Sequence, residues 1–294
     1  MIRFPGVFVA IVTPFTPELE VDYKRLSEHA DWLIDQGVDG LVAAGSVGEY
    51  ASLLTEERKK VVETVIGTAK GRVPVVVGTA APSTGQAVGW ARHAKQAGAA
   101  GIMALPPINY KPTENEVIKY YEALSDAGMP IIAYNNPHDY KTDLTPPLLK
   151  KLSSIPNFVA VKEFSGDLRR MHDIMRETDL EVLVGVDDLA MEGALIGATG
   201  WIAGLTNALP KESADMFRLA RAGRLAEAKS IYTYLLPLFH YDAGPRLVHA
   251  IKYSLELAGH PVGPTRPPRL PLEEEELKAI REAYDYAVHR PVKA

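Results

Sequence analysis

Short runs of consecutive apolar residues recur along this chain, separated by stretches in which apolar positions return every three or four residues. The runs are Val7–Val12, Gly40–Ala44, Val73–Val77, Gly101–Leu105, Ile131–Tyr134, Phe158–Val161, Leu180–Gly185 and Trp201–Gly204. Unbroken apolar runs of this length suit strands covered on both faces, as in a parallel sheet. Successive runs start roughly 20 to 33 residues apart, about the length of one strand–helix–strand unit.

The intervening stretches carry helix signals. Leu26, Ala30, Leu33 and Ile34 form one apolar stripe that stops at Gly37. Thr55 reads as an N-cap, with Glu56 and Glu57 placed well against the helix dipole, and Val61, Val62, Val65 and Ile66 follow up to Gly71. Thr113 and Glu114 open another helix, which continues through Val117, Tyr120, Tyr121 and Leu124 to Gly128. Eight strands alternating with helices predict a (β/α)8 TIM barrel over residues 1–210. No strand pattern follows Asn207. Helices over Lys211–Ala222, Leu225–Leu238, Arg246–Leu257 and Leu272–Val288 predict a C-terminal helical extension, residues 211–294, packed on the barrel. The proline-rich stretch Pro261 to Pro271 reads as a loop before the last helix.

Composition narrows the chemistry. The chain has 294 residues, and its formal charge is −5 from 32 Lys and Arg against 37 Asp and Glu. A mildly acidic chain without a basic block argues against nucleic acid or an anionic membrane surface as a partner. The complete lack of cysteine excludes disulfides, a thiolate nucleophile and Cys-ligated metal. The apolar stretch Val7 to Val12 is too short for a signal sequence, and no run approaches the ~20 apolar residues of a membrane span. A cytoplasmic location is the expectation.

In a (β/α)8 barrel the loops after the strands converge on one mouth, so chemistry is sought at strand ends. Three ends stand out. Lys162 follows the sixth run, where alternation can aim it into the barrel. Burial there disfavours the ammonium and leaves a neutral amine, the form that attacks a carbonyl carbon. The plainer alternative is a strand-end lysine paired with a carboxylate such as Glu163. Tyr134 closes the fifth run, where it can pass protons if it faces the lysine and otherwise merely packs. Gly45-Ser46-Val47-Gly48-Glu49 after the second run allows a tight turn whose backbone N–H groups gather round an anion. It lacks the lysine of a P-loop, and Ala44 stands where a G-x-S-x-G elbow needs glycine.

Together, Gly-Ser-Val-Gly-Glu, Tyr-Asn-Asn-Pro and Val-Lys-Glu, in this order and spacing, resemble the dihydrodipicolinate synthase / N-acetylneuraminate lyase family. The resemblance begins at Gly6-Val7 and Thr13-Pro14-Phe15 and runs through Gly185-Val186-Asp187-Asp188 and Gly200-Trp201-Ile202. It implies class I lyase chemistry on a small 2-oxo acid such as pyruvate, through a Schiff base, with neither metal nor organic cofactor. Lys162 matches the family's Schiff-base lysine and Tyr134 its proton-transferring tyrosine. Ser46, Val47 and the adjoining Gly45 match the loop that docks the substrate carboxylate. Gly185 and Ile202 match positions lining the pocket. Relatives of this kind are commonly homotetramers, so a homo-oligomer, dimer or tetramer, is expected.

The sequence also departs from the synthases. Ser46-Val47 stands where they carry Thr-Thr, and after the fourth run, where they carry a Tyr-Tyr pair, this chain reads Pro106-Pro107-Ile108-Asn109-Tyr110, with Tyr110 arriving two positions late. Asp139 stands where an arginine receives the second substrate's carboxylate. A carboxylate repels what a guanidinium attracts. The expectation ranked first is therefore aldol cleavage to pyruvate or dehydration of a hydroxylated or deoxygenated sugar-acid-like 2-oxo acid, or the related deamination of a hydroxylated pyrroline carboxylate. His138, Asp139, Asn109 and Asp188 are its candidate substrate contacts. Condensation of pyruvate with aspartate semialdehyde ranks second. A non-catalytic barrel that binds an oxo acid as a sensor or assembly subunit is the third alternative.

Overall fold

The computed structural model describes residues 3–289. All eight apolar runs form strands: β1 (Gly6–Ala10), β2 (Gly40–Ala43), β3 (Val75–Gly78), β4 (Gly101–Ala104), β5 (Ile131–Asn135), β6 (Phe158–Glu163), β7 (Glu181–Val184) and β8 (Gly200–Ala203). They pair in parallel and in chain order into a closed barrel, with β8 returning to β1 through Gly6↔Gly200 and Phe8↔Ile202. The connecting helices are α1 (Tyr23–Asp35), α2 (Thr55–Ala69), α3 (Thr84–Ala97), α4 (Glu114–Ser125), α5 (Pro146–Leu152), α6 (Leu168–Glu177) and α7 (Ala190–Leu195). Four more follow β8: α8 (Pro210–Arg221), α9 (Leu225–Phe239), α10 (Leu247–Leu257) and α11 (Glu274–Val288).

Two local readings shift. The sixth strand does not stop before Lys162 but runs on through Glu163, so the lysine lies within a paired strand. Thr55 is the first helical residue of α2 instead of its cap. Glu57 closes that end by accepting the Leu54 N–H at 2.8 Å. Thr113 does cap α4, exchanging hydrogen bonds with Glu116. The loop over residues 261–271 carries no regular secondary structure. Because α8 packs on β1, we take it as the eighth barrel helix, with α9–α11 as the annex proper.

The strands are buried on both faces, as their unbroken apolar composition requires. Trp201 of β8 points outward, against Phe217 of α8 and Phe239 of α9. Its indole N–H donates to Asp187 at 2.9 Å. The β1–β8 seam is clamped by Asn207. Its Nδ2 donates to Ala10 O (2.8 Å) and Gly204 O (2.7 Å), and its Oδ1 accepts from Val12 N (3.3 Å) and pairs with His29 Nε2 (3.0 Å).

Since Asn207 Oδ1 is an acceptor, His29 must donate from Nε2, and its buried Nδ1 has no hydrogen-bond partner. Charging the ring would place an unpaired N–H in the core, and burial drives its pKa down to about 4 from 6.5. Between these values the unfolded chain binds the proton and the folded chain does not, so this residue makes stability rise with pH from about 4 to 6.5. The contribution is about 3 kcal/mol. Urea denaturation across that range should show the slope in the wild type and lose about one proton's worth of it in His29→Gln.

Candidate active site

Strands β5 and β6 pair with Tyr134 opposite Lys162 and Asn135 opposite Glu163. Residues paired across a parallel ladder share a face, so Tyr134 and Lys162 both face the interior while Asn135 and Glu163 lie under the helices. Glu163 accepts Asn135 Nδ2 on both oxygens (3.2 and 3.0 Å) and the Ser165 N–H at 2.7 Å, and it lies 3.9 Å from Arg170 Nε. It is therefore engaged on the outer face, away from Lys162. That removes the plain ion-pair reading of the lysine.

Lys162 Nζ lies 4.4 Å from the centre of the Tyr134 ring and 5.6 Å from that of Phe164. The residue is 6% exposed, and desolvation lowers its pKa below the ordinary lysine value, while Asp242 and Asp187 pull it upward. Burial above all holds the Tyr134 phenol well above its usual value, so it stays protonated at neutral pH. Asn136 Nδ2 donates to the Tyr134 hydroxyl (3.2 Å) and to Asp139 (2.7 Å), joining the strand end to the loop beyond it.

Lys162, Tyr134 and Phe164 line a cavity of about 400 Å³ that also takes in Ser46, Val47, His138, Asp139, Tyr140, Asp242 and Arg269. A larger depression of about 640 Å³ lies outside the barrel by α2 and α3 and shares none of these residues. The Gly45–Glu49 turn enters and leaves through residues of left-handed backbone, Ala44 (φ 54°) and Glu49 (φ 55°). Thr13 Oγ1 pins the turn by donating to Gly48 O at 2.7 Å. The Ser46 hydroxyl pairs with Tyr140 at 3.2 Å.

Glu49 fastens the turn to the annex. Its buried carboxylate meets Lys252 Nζ at 2.8 Å, the Arg266 N–H at 3.0 Å and Arg269 Nη1 at 3.3 Å. Lys252 also donates to Thr13 O (2.8 Å) and Pro264 O (2.7 Å). The loop crosses Phe15 at Gly263, where φ is +75° and a Cβ would sit 1.9 Å from Phe15 O, so only glycine fits.

Of the expected site residues, Lys162, Tyr134, Ser46, Val47, His138 and Asp139 come together in the cavity. Gly45 lies just beneath, in the floor between the turn and Tyr134. Five others are not among the cavity's lining residues. Gly185 serves close packing, since a Cβ there would lie 2.6 Å from Glu163 O. Ile202 is fully buried on β8, one position from the outward Trp201, and fills the barrel core. Asp188 is tied to the annex through its main-chain carbonyl, which accepts the Tyr232 hydroxyl. Tyr110 is 49% exposed and lies by Pro107 and Glu116 in a separate depression, and Asn109 bonds Pro82 O instead of entering the site.

Sequence reasoning missed Tyr140, Asp242 and Arg269. Tyr140 could have been found three residues beyond Pro137, in a loop already implicated. Asp242 and Arg269 come from the annex, more than 75 residues beyond Lys162 in the chain, with no motif to mark them.

The model of the Dihydrodipicolinate synthetase family matches residues 3–286. The chain belongs to that family. It is 34% identical over 296 residues to the 4-hydroxy-tetrahydrodipicolinate synthase of Methanospirillum hungatei JF-1, covering 96% of this chain and all of that one. A dihydrodipicolinate synthase from Acinetobacter baumannii, solved with pyruvate, matches with TM-score 0.92 and 32% identity over 97% of this chain and 99% of that one. YagE, a prophage protein of the same family from E. coli K12 also solved with pyruvate, matches with TM-score 0.90 and 31% identity over 95% and 97%. The protein is accordingly a class I, Schiff-base-forming lyase, and the non-catalytic alternative falls away. Among the described residues no helix is long and apolar enough to cross a membrane.

Replacing Glu49 with Gln leaves Lys252 and Arg269 buried or half-buried without their anion. Urea denaturation should show a loss of about 3 kcal/mol. Amide exchange in residues 262–270 should accelerate more than exchange in the strands.

Proposed function

We propose that Lys162 forms a Schiff base with the keto carbon of pyruvate or a close 2-oxo acid, and that Tyr134 carries protons for the C–C bond step. The observation that carries this reading is the buried amine set against a protonated phenol across one strand pair. The substrate carboxylate docks on the backbone N–H groups and hydroxyl of Ser46 and Val47. The neutral amine attacks, water leaves, and the iminium draws electrons from the neighbouring carbon. The resulting enamine is the carbon nucleophile. Gly185 and Ile202 act only by shaping the barrel around the lysine.

For the second substrate we now favour a carboxylated aldehyde, aspartate semialdehyde, and hence 4-hydroxy-tetrahydrodipicolinate synthase activity. Two things support it. The similar curated proteins carry that name. The objection from Asp139 also weakens, because Arg269 reaches the same cavity from the annex loop and supplies a guanidinium for the second carboxylate. The hydroxylated-acid reading keeps one specific support: Asp139 lines the cavity beside His138, where a carboxylate can accept hydrogen bonds from substrate hydroxyls. We further propose a cytoplasmic homo-oligomer, with exposed Tyr110 among the groups a second copy would cover; light scattering reports the assembly.

Borohydride reduction in the presence of pyruvate should add one reduced pyruvyl group to wild-type protein and none to Lys162→Ala. An unmodified wild type sinks the Schiff-base reading. Given pyruvate, the enzyme should consume aspartate semialdehyde faster than it turns over any of a panel of hydroxylated 2-oxo acids. The reverse order restores the hydroxylated-acid reading. Arg269→Met should raise the KM for the semialdehyde about 100-fold, the worth of a lost charge-assisted pair, while the KM for pyruvate stays within a few-fold.

A further inference from the structure

The Lys162 cavity contains a carboxyl group that no step above uses. Asp242 lies in the turn between α9 and α10, fixed by its own N–H to Phe239 O at 2.9 Å. It is 5% exposed, lines the same cavity as Lys162 and Tyr134, and interacts electrostatically with both. Asp187 stands beside it but is fully committed to structure. Its oxygens accept Trp201 Nε1 (2.9 Å), Gly204 N (3.1 Å) and Leu205 N (2.7 Å). Asp242 accepts one such bond, from the Asp187 N–H to Oδ2 at 2.7 Å, which leaves Oδ1 as the oxygen available to the cavity.

The charges around Asp242 have a consequence. Burial, and then the neighbouring Asp187 carboxylate, raise its pKa well above the ordinary aspartate value, while the same burial lowers that of Lys162. Amine plus carboxylic acid and ammonium plus carboxylate contain the same number of protons. Desolvation favours the uncharged arrangement, in which the amine is the nucleophile and the acid holds the proton.

We propose that Asp242 is the acid–base partner of Lys162 in Schiff-base formation, a role that rests on the Lys162 reading above. The Asp242 carboxylate takes a proton from the Lys162 ammonium. The freed nitrogen lone pair forms the C–N bond as the keto C=O π bond breaks, and one N–H proton moves to that oxygen to give the carbinolamine. Asp242 then returns its proton to the carbinolamine hydroxyl. The C–O bond breaks, water leaves, and the nitrogen lone pair completes the iminium. The cycle ends with an iminium facing a carboxylate, the same net charge as at the start. The carboxylate left on Asp242 balances the iminium charge as it forms.

Asp242→Asn keeps an oxygen that can accept the Asp187 N–H and removes only the acidity, which makes it the decisive variant. With pyruvate in single turnover, quenched by borohydride and followed by intact mass, it should form the Lys162 adduct about 100-fold more slowly than wild type. Its melting temperature should stay within a few degrees. Asp242→Ala should be equally slow, and sodium formate, a small carboxylic acid that fits the vacated space, should accelerate it. An adduct on Asp242→Asn at the wild-type rate overturns the role, as does a slow variant that formate leaves unchanged in Asp242→Ala. If wild type itself gives no adduct, the Lys162 reading fails instead, so the two failures are told apart.

Discussion

Closure of the sheet between β1 and β8 divides every strand residue into inside and outside, and the site inherits that division. The seam is held by main-chain pairing and by the four contacts of Asn207, which ties Ala10, Val12, Gly204 and His29 together. Once the barrel is closed, Tyr134 and Lys162 must face each other across adjacent strands, and Glu163 must turn away beneath the helical layer. A one-residue slip in β6 would exchange the lysine and the glutamate. Glu163 holds against that slip through its bonds to Asn135 and Ser165. The outer carboxylate thus protects the register that delivers the inner amine.

The annex completes this mouth as well as covering the barrel. It supplies Asp242 and Arg269 to the cavity and Lys252 to the buried Glu49. The ion cluster around Glu49 is costly to desolvate, and such clusters are weak sources of net stability. Its effect is geometric: it seats the Gly45–Glu49 turn and the annex loop on one anion. Loss of that anion would loosen the turn and the proposed specificity arginine together. Lys252, whose pKa burial pushes down to about 8, is held in its charged form by Glu49 against that desolvation.

The choice of substrate illustrates how position in the chain and position in space diverge. Asp139 in the β5–α5 loop reads as the loss of an arginine when the loop is taken by itself. The cavity nevertheless contains a guanidinium, delivered by the loop over residues 261–271. A cavity senses the charges that reach it, whichever segment brings them, so a single motif position is a weak guide to specificity.

The strands, most helix bounds and the Lys162–Tyr134 pair were legible in the chain because each rests on a local rule. Apolar runs mark strands buried on both faces, glycines stop helices, and alternation assigns each residue to a face. The resemblance carried by the turn after β2 and the ends of β5 and β6 was sufficient for the family. Other features depended on long-range contact. Tyr110 lies too far out along its loop, the Asp188 main chain is bound to Tyr232, and Gly185 and Ile202 belong to packing, none of which the local pattern records. Asp242, Arg269 and Tyr140 enter the site only when the annex and the loop after β5 fold over the barrel mouth. By itself the sequence determined the barrel and the amine at its centre, since periodicity and strand alternation are properties of neighbouring residues. Only the tertiary structure decided which charges surround that amine, because electrostatic neighbours are set by distance through space.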